Sequence, residues 1–300
     1  MKILPLIVLL LAALALGAAP AVEAQKAGNY MGGKKGGKMG RKGRMKGQQK
    51  VSPASQETTP DPSVIGAFAP MMAKLEHMRA RGFMATGLVA VYPENADCPK
   101  GTSDFAAQTR SDGSRRSRRF YQGYHGGYDI PAAEGTPLLA IADGTVVHIH
   151  EGASIGGLAL ILQHAPADTG LPVWTYTEYK HLRELPNLEI GQRVRRGQQI
   201  AMSGKTGTQG GHYGAAGFSH LHLTAFFSKV GEFKIKRMLI PAQGQWLDPL
   251  ALYRSSPLDS ATLRKLPAAE KKVAIPYKTS DGRIVPAGSR LVWPFVCRSR

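Results

Sequence analysis

Between about residues 120 and 250, short apolar and β-branched runs alternate with Gly, Pro and Asp-Gly punctuation, and helical periodicity is nearly absent. One run goes from Thr136 to Ile141 and ends in Ala142-Asp143-Gly144; the next goes from Thr145 to Ile149. Asp-Gly between two apolar runs predicts a hairpin. Residues 158–162, 174–179, 199–202 and 220–227 read as further strands. The pattern predicts an antiparallel β domain of roughly 130 residues, near the commonest domain size. Upstream, Pro70 is placed where a first helical turn tolerates it, and Met71, Met72, Leu75 and Met78 recur at helical spacing before Gly82. This predicts a helix whose methionine stripe is packing. Downstream, residues 276–280, Asp281-Gly282 and residues 283–285 predict another hairpin, with Trp293-Pro294-Phe295 as an apolar anchor.

Composition changes the picture mainly at the N-terminus. The 300 residues are 43% hydrophobic and 20% charged, enough for a real core and too apolar for wholesale disorder. Met1-Lys2 gives a positive start, residues 3–18 are apolar apart from Pro5 and Gly17, and Val22-Glu23-Ala24 offers a small-residue cleavage site. This predicts a signal peptide over 1–24, because so short an apolar run is a poor membrane span. The region has no cysteine to carry a lipid anchor, and no other stretch is long enough for a membrane helix. An exported protein with no transmembrane segment after cleavage is therefore expected. In an oxidising compartment the isolated pair Cys98 and Cys297 predicts a disulfide joining the entry of the folded region to the chain's end.

Charge adds a partner class. Lys and Arg number 39 against 21 Asp and Glu, a net +18, which predicts attraction to anionic surfaces. Residues 25–50 carry nine basic residues and no acidic one among Gly, Met and Gln, the composition of a disordered tail. An anionic envelope surface is the expected partner of this tail. Nucleic acid is not expected, because only Tyr30 interleaves the charges for base stacking. A second cluster, Arg110, Arg115, Arg116, Arg118 and Arg119, reads as a solvated loop, with a grip on an anionic substrate as the functional alternative.

Two fragments carry chemistry. In His125-Gly126-Gly127-Tyr128-Asp129 the paired glycines favour a loop running into a strand and let the backbone wrap closely round a ligand. In Ser219-His220-Leu221-His222-Leu223, strand alternation brings His220 and His222 out side by side and turns Leu221 and Leu223 to the core. Two imidazoles and a carboxylate, with a fourth position left to water, form the donor set of a catalytic zinc; a structural zinc is closed by four ligands, commonly cysteines. A decoy, His148-Ile149-His150, lies on the polar face of a predicted strand with no acid arranged near it, and reads as structural.

Together these fragments resemble the lysostaphin/LytM-type zinc endopeptidases of the bacterial cell wall, and the match extends past the ligands. Gly135-Thr136-Pro137 and the stretch from Ala142 to Val147 resemble that family's early hairpin, and Tyr179-Lys180-His181-Leu182 its Tyr-x-His-Leu strand. The stretch from Gly191 to Ile200 is similar to its Gly-x-x-Val-x-x-Gly-x-x-Ile turn, Ser203-Gly204-Lys205-Thr206-Gly207 to the following loop, and Trp246-Leu247-Asp248-Pro249-Leu250 to the domain end. The resemblance implies a mainly β fold, an antiparallel sheet groove or sandwich, with a short helical lead-in and a C-terminal extension. Carried over residue by residue, it implies one zinc on His125, Asp129 and His222, with His181 and His220 as the two catalytic histidines. It implies hydrolysis of peptide bonds in peptidoglycan, at cross-links or within stems, with a metal-activated water as nucleophile. Lysostaphin-like members cut glycine bridges and Gram-negative relatives cut D-alanyl–diaminopimelate links; the signal without an anchor favours a periplasmic enzyme of the second kind. The competing class is a catalytically silent family member that activates a cell-wall amidase; such proteins lose metal ligands, and this chain keeps them. An adhesin acting through its basic tail is the third possibility.

The expected organisation is a signal peptide over 1–24, a basic tail and linker over 25–62, and a helical lead-in with basic loop over 63–119. The metallopeptidase domain then covers 120–250 and an extension of unassigned role 251–300. Residues 208–218, a Gly-rich insertion with His212, depart from the family pattern and are expected as an exposed loop or one wall of the groove. Glu178, three residues before His181, would face the other side of a strand and reads as a solvated charge.

Overall fold

Residues 61–151, 156–235 and 238–300 are described by the computed structural model. The expected signal peptide and nearly all of the basic tail lie outside the described residues. Among those described, no helix is long and apolar enough to cross a membrane, and all belong to one compact unit, Glu57–Arg300.

The chain opens with two short helices, α1 (Pro62–Phe68) and α2 (Leu75–Ala80), not one helix from Pro70. The segment ahead of Pro70 is extended at Ala69, as the proline ring demands of the residue before it. Met71 and Met72 are left in an exposed turn, and only Met78 of the predicted stripe is buried. Asp61 caps α1 by accepting from the Ser63 N–H. Then come β1 (Val89–Val91) and β2 (Ala96–Asp97).

The central body follows. Strands β3 (Tyr128–Pro131), β4 (Pro137–Leu139), β5 (Gly144–His150) and β6 (Ala159–His164) lead to the one-turn helix α3 (Pro166–Thr169). After it come β7 (Trp174–Lys180), β8 (Arg193–Val194), β9 (Gln199–Met202) and the long β10 (His220–Ser228). Strands β11 (Phe233–Ile235), β12 (Leu239–Pro241) and β13 (Gln245–Leu247) complete it. Seven strands form the main sheet in the order β13-β10-β7-β6-β5-β8, with β3 beside the start of β10. Its pairings are antiparallel. The Asp143-Gly144 turn does not make a hairpin of its flanking runs. It passes the chain between sheets, because β4 pairs with β9 while β5 pairs with β6 and β8.

Alternation gives the sheet two different faces. Leu221, Leu223 and Ala225 of β10, with Tyr179, Leu160 and Ile130, sit in the larger core. The opposite face of β10 carries His220, His222, Thr224 and Phe226 in succession. At its far end that face is covered by aromatics: Phe68 stacks on Trp246 and meets Phe226 edge-on, Phe83 lies edge-on to Trp246, and the Trp246 indole N–H donates to the Ala67 carbonyl. At the near end the polar side chains are left for chemistry.

The C-terminal segment carries α4 (Ser260–Leu263), β14 (Lys272–Ala274), β15 (Tyr277–Thr279), β16 (Ile284–Val285) and β17 (Val296–Ser299). The predicted hairpin is β15 with β16, and Trp293 and Phe295 are fully buried in the larger core. Strand β14 pairs with β1, and β17 pairs with both β15 and β2, so the two ends of the unit are sewn together. Cys98 and Cys297 form a disulfide across that seam.

Candidate metal centre

Strand register builds the site. His222 of β10 lies directly opposite Asp129 of β3, so their side chains leave the same face. His125 comes from the loop just before β3, held by backbone bonds to Ala106 and Ala107. Gly127 makes the crossing possible, because a Cβ there would sit 2.7 Å from His222 Nε2. The two glycines serve different neighbours: Gly127 gives room to His222 of the site, and Gly126 to the buried ring of Tyr121.

Asp129 Oδ1 is the meeting point. It is 2.9 Å from His125 Nε2 and 2.9 Å from His222 Nδ1, and those two nitrogens are 3.1 Å apart. His125 donates through Nδ1 to the Asp104 carbonyl at 2.8 Å, which leaves Nε2 as a lone pair. His222 turns Nδ1 to the same point, and its Nε2 lies 3.2 Å from the Thr224 hydroxyl, which accepts from the imidazole when Nδ1 is the ligating atom. Two imidazole nitrogens and a carboxylate oxygen, all buried or nearly so, therefore converge on one point. That donor set fits a divalent cation of the zinc type, and among the described residues these three are the group able to hold one. Burial alone would push the Asp129 carboxyl up, but His125 and His222 outweigh it and hold the group well below the usual carboxylate range. Burial keeps His222 well below the usual imidazole range despite the pull of Asp129.

His181 and His220 flank the three. The His220 ring is 4.6 Å from His181 between centroids, and its Nε2 lies 3.6 Å from Asp129 Oδ1. Each is oriented by a backbone carbonyl: His181 Nδ1 donates to Thr206 at 2.8 Å and His220 Nδ1 to Phe218 at 2.9 Å. Both therefore turn Nε2 away from the carbonyl and towards the site. Burial, with the neighbouring His220 charge, pushes His181 down to about 3, so it is neutral at ordinary pH. His181 adopts φ +61°, just past the end of β7, an uncommon conformation for a residue with a β-carbon.

Two residues, Glu178 and Arg116, stand differently from the sequence expectation. Because His181 has left the strand, alternation counted back from it fails. Glu178 shares the site's face and pairs with Lys180 Nζ at 2.8 Å, so it is no solvated charge. Arg116 does not belong to a solvated loop. Its Nη2 reaches Asp129 Oδ2 at 3.3 Å and Ser103 Oγ at 2.5 Å. His212, from the insertion, bonds to Asp112 Oδ2 at 3.0 Å and does not enter the three-residue group. His148 and His150 stay outside it as well, their rings 6.1 Å apart.

Comparison with known proteins points the same way. Residues 123–229 match the model of peptidase family M23. The chain is 35% identical over 98 residues to an uncharacterized metalloprotease of Haemophilus influenzae, a match covering 33% of this chain and 18% of that protein. It therefore spans about a fifth of the length of that curated relative. The catalytic domain of the antimicrobial peptidase lysostaphin from Staphylococcus simulans is 28% identical, covering 37% of this chain and 71% of its own, with a TM-score of 0.29. The structure of LytU is 31% identical, covering 37% and 67%, with a TM-score of 0.30. Residues 123–229, which hold His125, Asp129, His181, His220 and His222, thus carry the likeness to peptidase family M23 that the motifs pointed to.

Proposed function

We propose that this protein is a zinc-dependent endopeptidase that hydrolyses peptide bonds in bacterial peptidoglycan. The observation behind the reading is the convergence of two imidazole nitrogens and one carboxylate oxygen, with two further histidines beside them, each fixed through Nδ1 by a backbone carbonyl. His125, Asp129 and His222 would hold the zinc, one per chain. When bound, zinc lowers the pKa of a bound water to about 7 and polarises a carbonyl. His181, neutral and fixed through its Nδ1, accepts a proton through Nε2 from a water attacking the peptide, then returns it to the leaving amine. His220, also fixed through Nδ1, stands at Asp129 where its protonated form stabilises negative charge on the tetrahedral oxygen. A silent activator has no use for three converging ligand atoms with two oriented histidines beside them, so the catalytic reading is favoured.

The substrate class rests on charge and on the family match. Exposed Arg115, Arg118 and Arg119 lie on the segment leading to the site, and stem peptides carry carboxylates that suit them. The N-terminal signal-like sequence and the disulfide both fit an oxidising compartment outside the cytoplasm, and we place the enzyme in the periplasm. The test is the muropeptide profile of purified sacculi treated with the zinc-loaded protein. Loss of cross-linked dimers, abolished by a chelator and by His222→Ala, is expected. An unchanged profile with zinc-loaded protein contradicts the reading.

A further inference from the structure

Arg116 carries an inference that rests on the metal-centre reading and goes past it. Its side chain is 17% exposed and held by two of its nitrogens: Nε donates to the Thr109 carbonyl at 3.2 Å, and Nη2 to Ser103 Oγ and to Asp129 Oδ2. Its own backbone N–H donates to the Gln108 carbonyl, and Thr109 bridges Arg115, so residues 108–116 form a hairpin folded back on the site. Ser103 in turn bridges Asp129 through the main chain: the Thr102 N–H donates to the Asp129 carbonyl and the Asp129 N–H to the Ser103 carbonyl. Asp129 is therefore gripped at its backbone by one segment and at one carboxylate oxygen by an arginine from the next.

The two carboxylate oxygens are treated differently. Oδ1 faces His125, His222 and His220; Oδ2 faces Arg116. We infer that Arg116 is a positioning residue that holds Asp129 to one-oxygen coordination and so keeps a position of the metal open for water and substrate. The chemistry is general. A carboxylate free to turn offers both oxygens to a cation, and the second closes a position that a catalytic zinc needs. A guanidinium donating to the second oxygen engages one of its lone pairs and opposes rotation of the carboxylate towards the cation. The fork geometry matters, so lysine does not replace it fully: one ammonium on a flexible stem cannot donate at once to Thr109, Ser103 and Asp129.

Cobalt(II) in place of zinc reads this directly, because its visible absorption weakens as coordination rises above four. Metal-free parent, Arg116→Met and Arg116→Lys are each titrated with cobalt, and their thermal melting is recorded alongside. The parent is expected to show the strong band of a four-coordinate ion. Arg116→Met binds cobalt with a band weaker by roughly twofold as the second carboxylate oxygen enters a five-coordinate site, and Arg116→Lys falls between the two. A general loosening of the hairpin lowers the melting temperature of both variants but leaves the band unchanged, and that result overturns the inference. Should Arg116→Met fail to fold, Arg116→Lys decides alone: a band equal to the parent's overturns it. A parent that binds no cobalt removes the metal centre itself, a failure distinct from that of Arg116.

Discussion

Gly127 separates the two halves of the site, and its lack of a side chain is a requirement of the geometry. An added Cβ would press on His222 Nε2 and, closer still, on the Leu223 carbonyl of the neighbouring strand. Gly127→Ala is expected to drive His222 away from Asp129 and abolish zinc binding, while overpacking costs about 1–3 kcal/mol of stability. Zinc titration of the folded variant checks this, and retained affinity would show that the crossing tolerates a methyl group. At this scale much of the site was legible. His220 and His222 share a strand whose alternation sets their direction, while His125, in the loop before β3, and the set of ligands as a whole were legible only through the family resemblance. Arg116 was not legible. One arginine among several in a row carries no sign that a hairpin will fold it onto a carboxylate thirteen positions further along. Glu178 was misread for a related reason, since a left-handed residue at His181 breaks the strand count.

Among the elements, the short apolar and aromatic runs between turn residues came out as strands: β6, β7, β9 and β10 all overlap their predicted spans. Pairing was harder to read. The Asp-Gly turn marks where a strand ends, yet which strand lies beside it depends on packing between sheets, and β4 joins β9 some sixty residues away. The methionine stripe before Gly82 failed because Pro70 breaks the chain into two helices, a local effect that overrides helical spacing. The contact of β2 with β17 is also long-range, and the Cys98–Cys297 bond beside it closes a loop of 199 positions. In the chain-entropy model such a loop stabilises by about 5 kcal/mol. The double variant Cys98→Ser with Cys297→Ser should lose stability of that order in urea unfolding while keeping its zinc affinity, because the seam is formed away from the metal ligands. Unchanged stability would mean that β-pairing alone holds the ends together.

Over the whole molecule, the N-terminal lead-in and the C-terminal extension pack against the central strands. Both contribute to the core, through Phe68 and Phe83 on one side and Trp293 and Phe295 on the other. Asp248 shows the linkage: it caps the turn after β13 by accepting from the Leu250 N–H and also accepts from Thr86 of the N-terminal segment. Burial pushes its carboxyl up to about 6 despite these bonds. A pKa raised on folding stabilises most below the unfolded value near pH 4, and the contribution disappears as pH rises through 6, a span worth about 3 kcal/mol. Asp248→Asn keeps the cap and should flatten the fall in stability between pH 4 and 7; equal slopes in parent and variant would place the titration elsewhere. The division of labour among the histidines is what gives the whole chain its proposed activity, and zinc content per chain tests it most directly. Parent protein is expected to hold one zinc, His222→Ala none, and His181→Ala one zinc with most turnover lost. A metal-free His181→Ala, or a zinc-bound His222→Ala, would contradict the assignment of His125, Asp129 and His222 as the ligands.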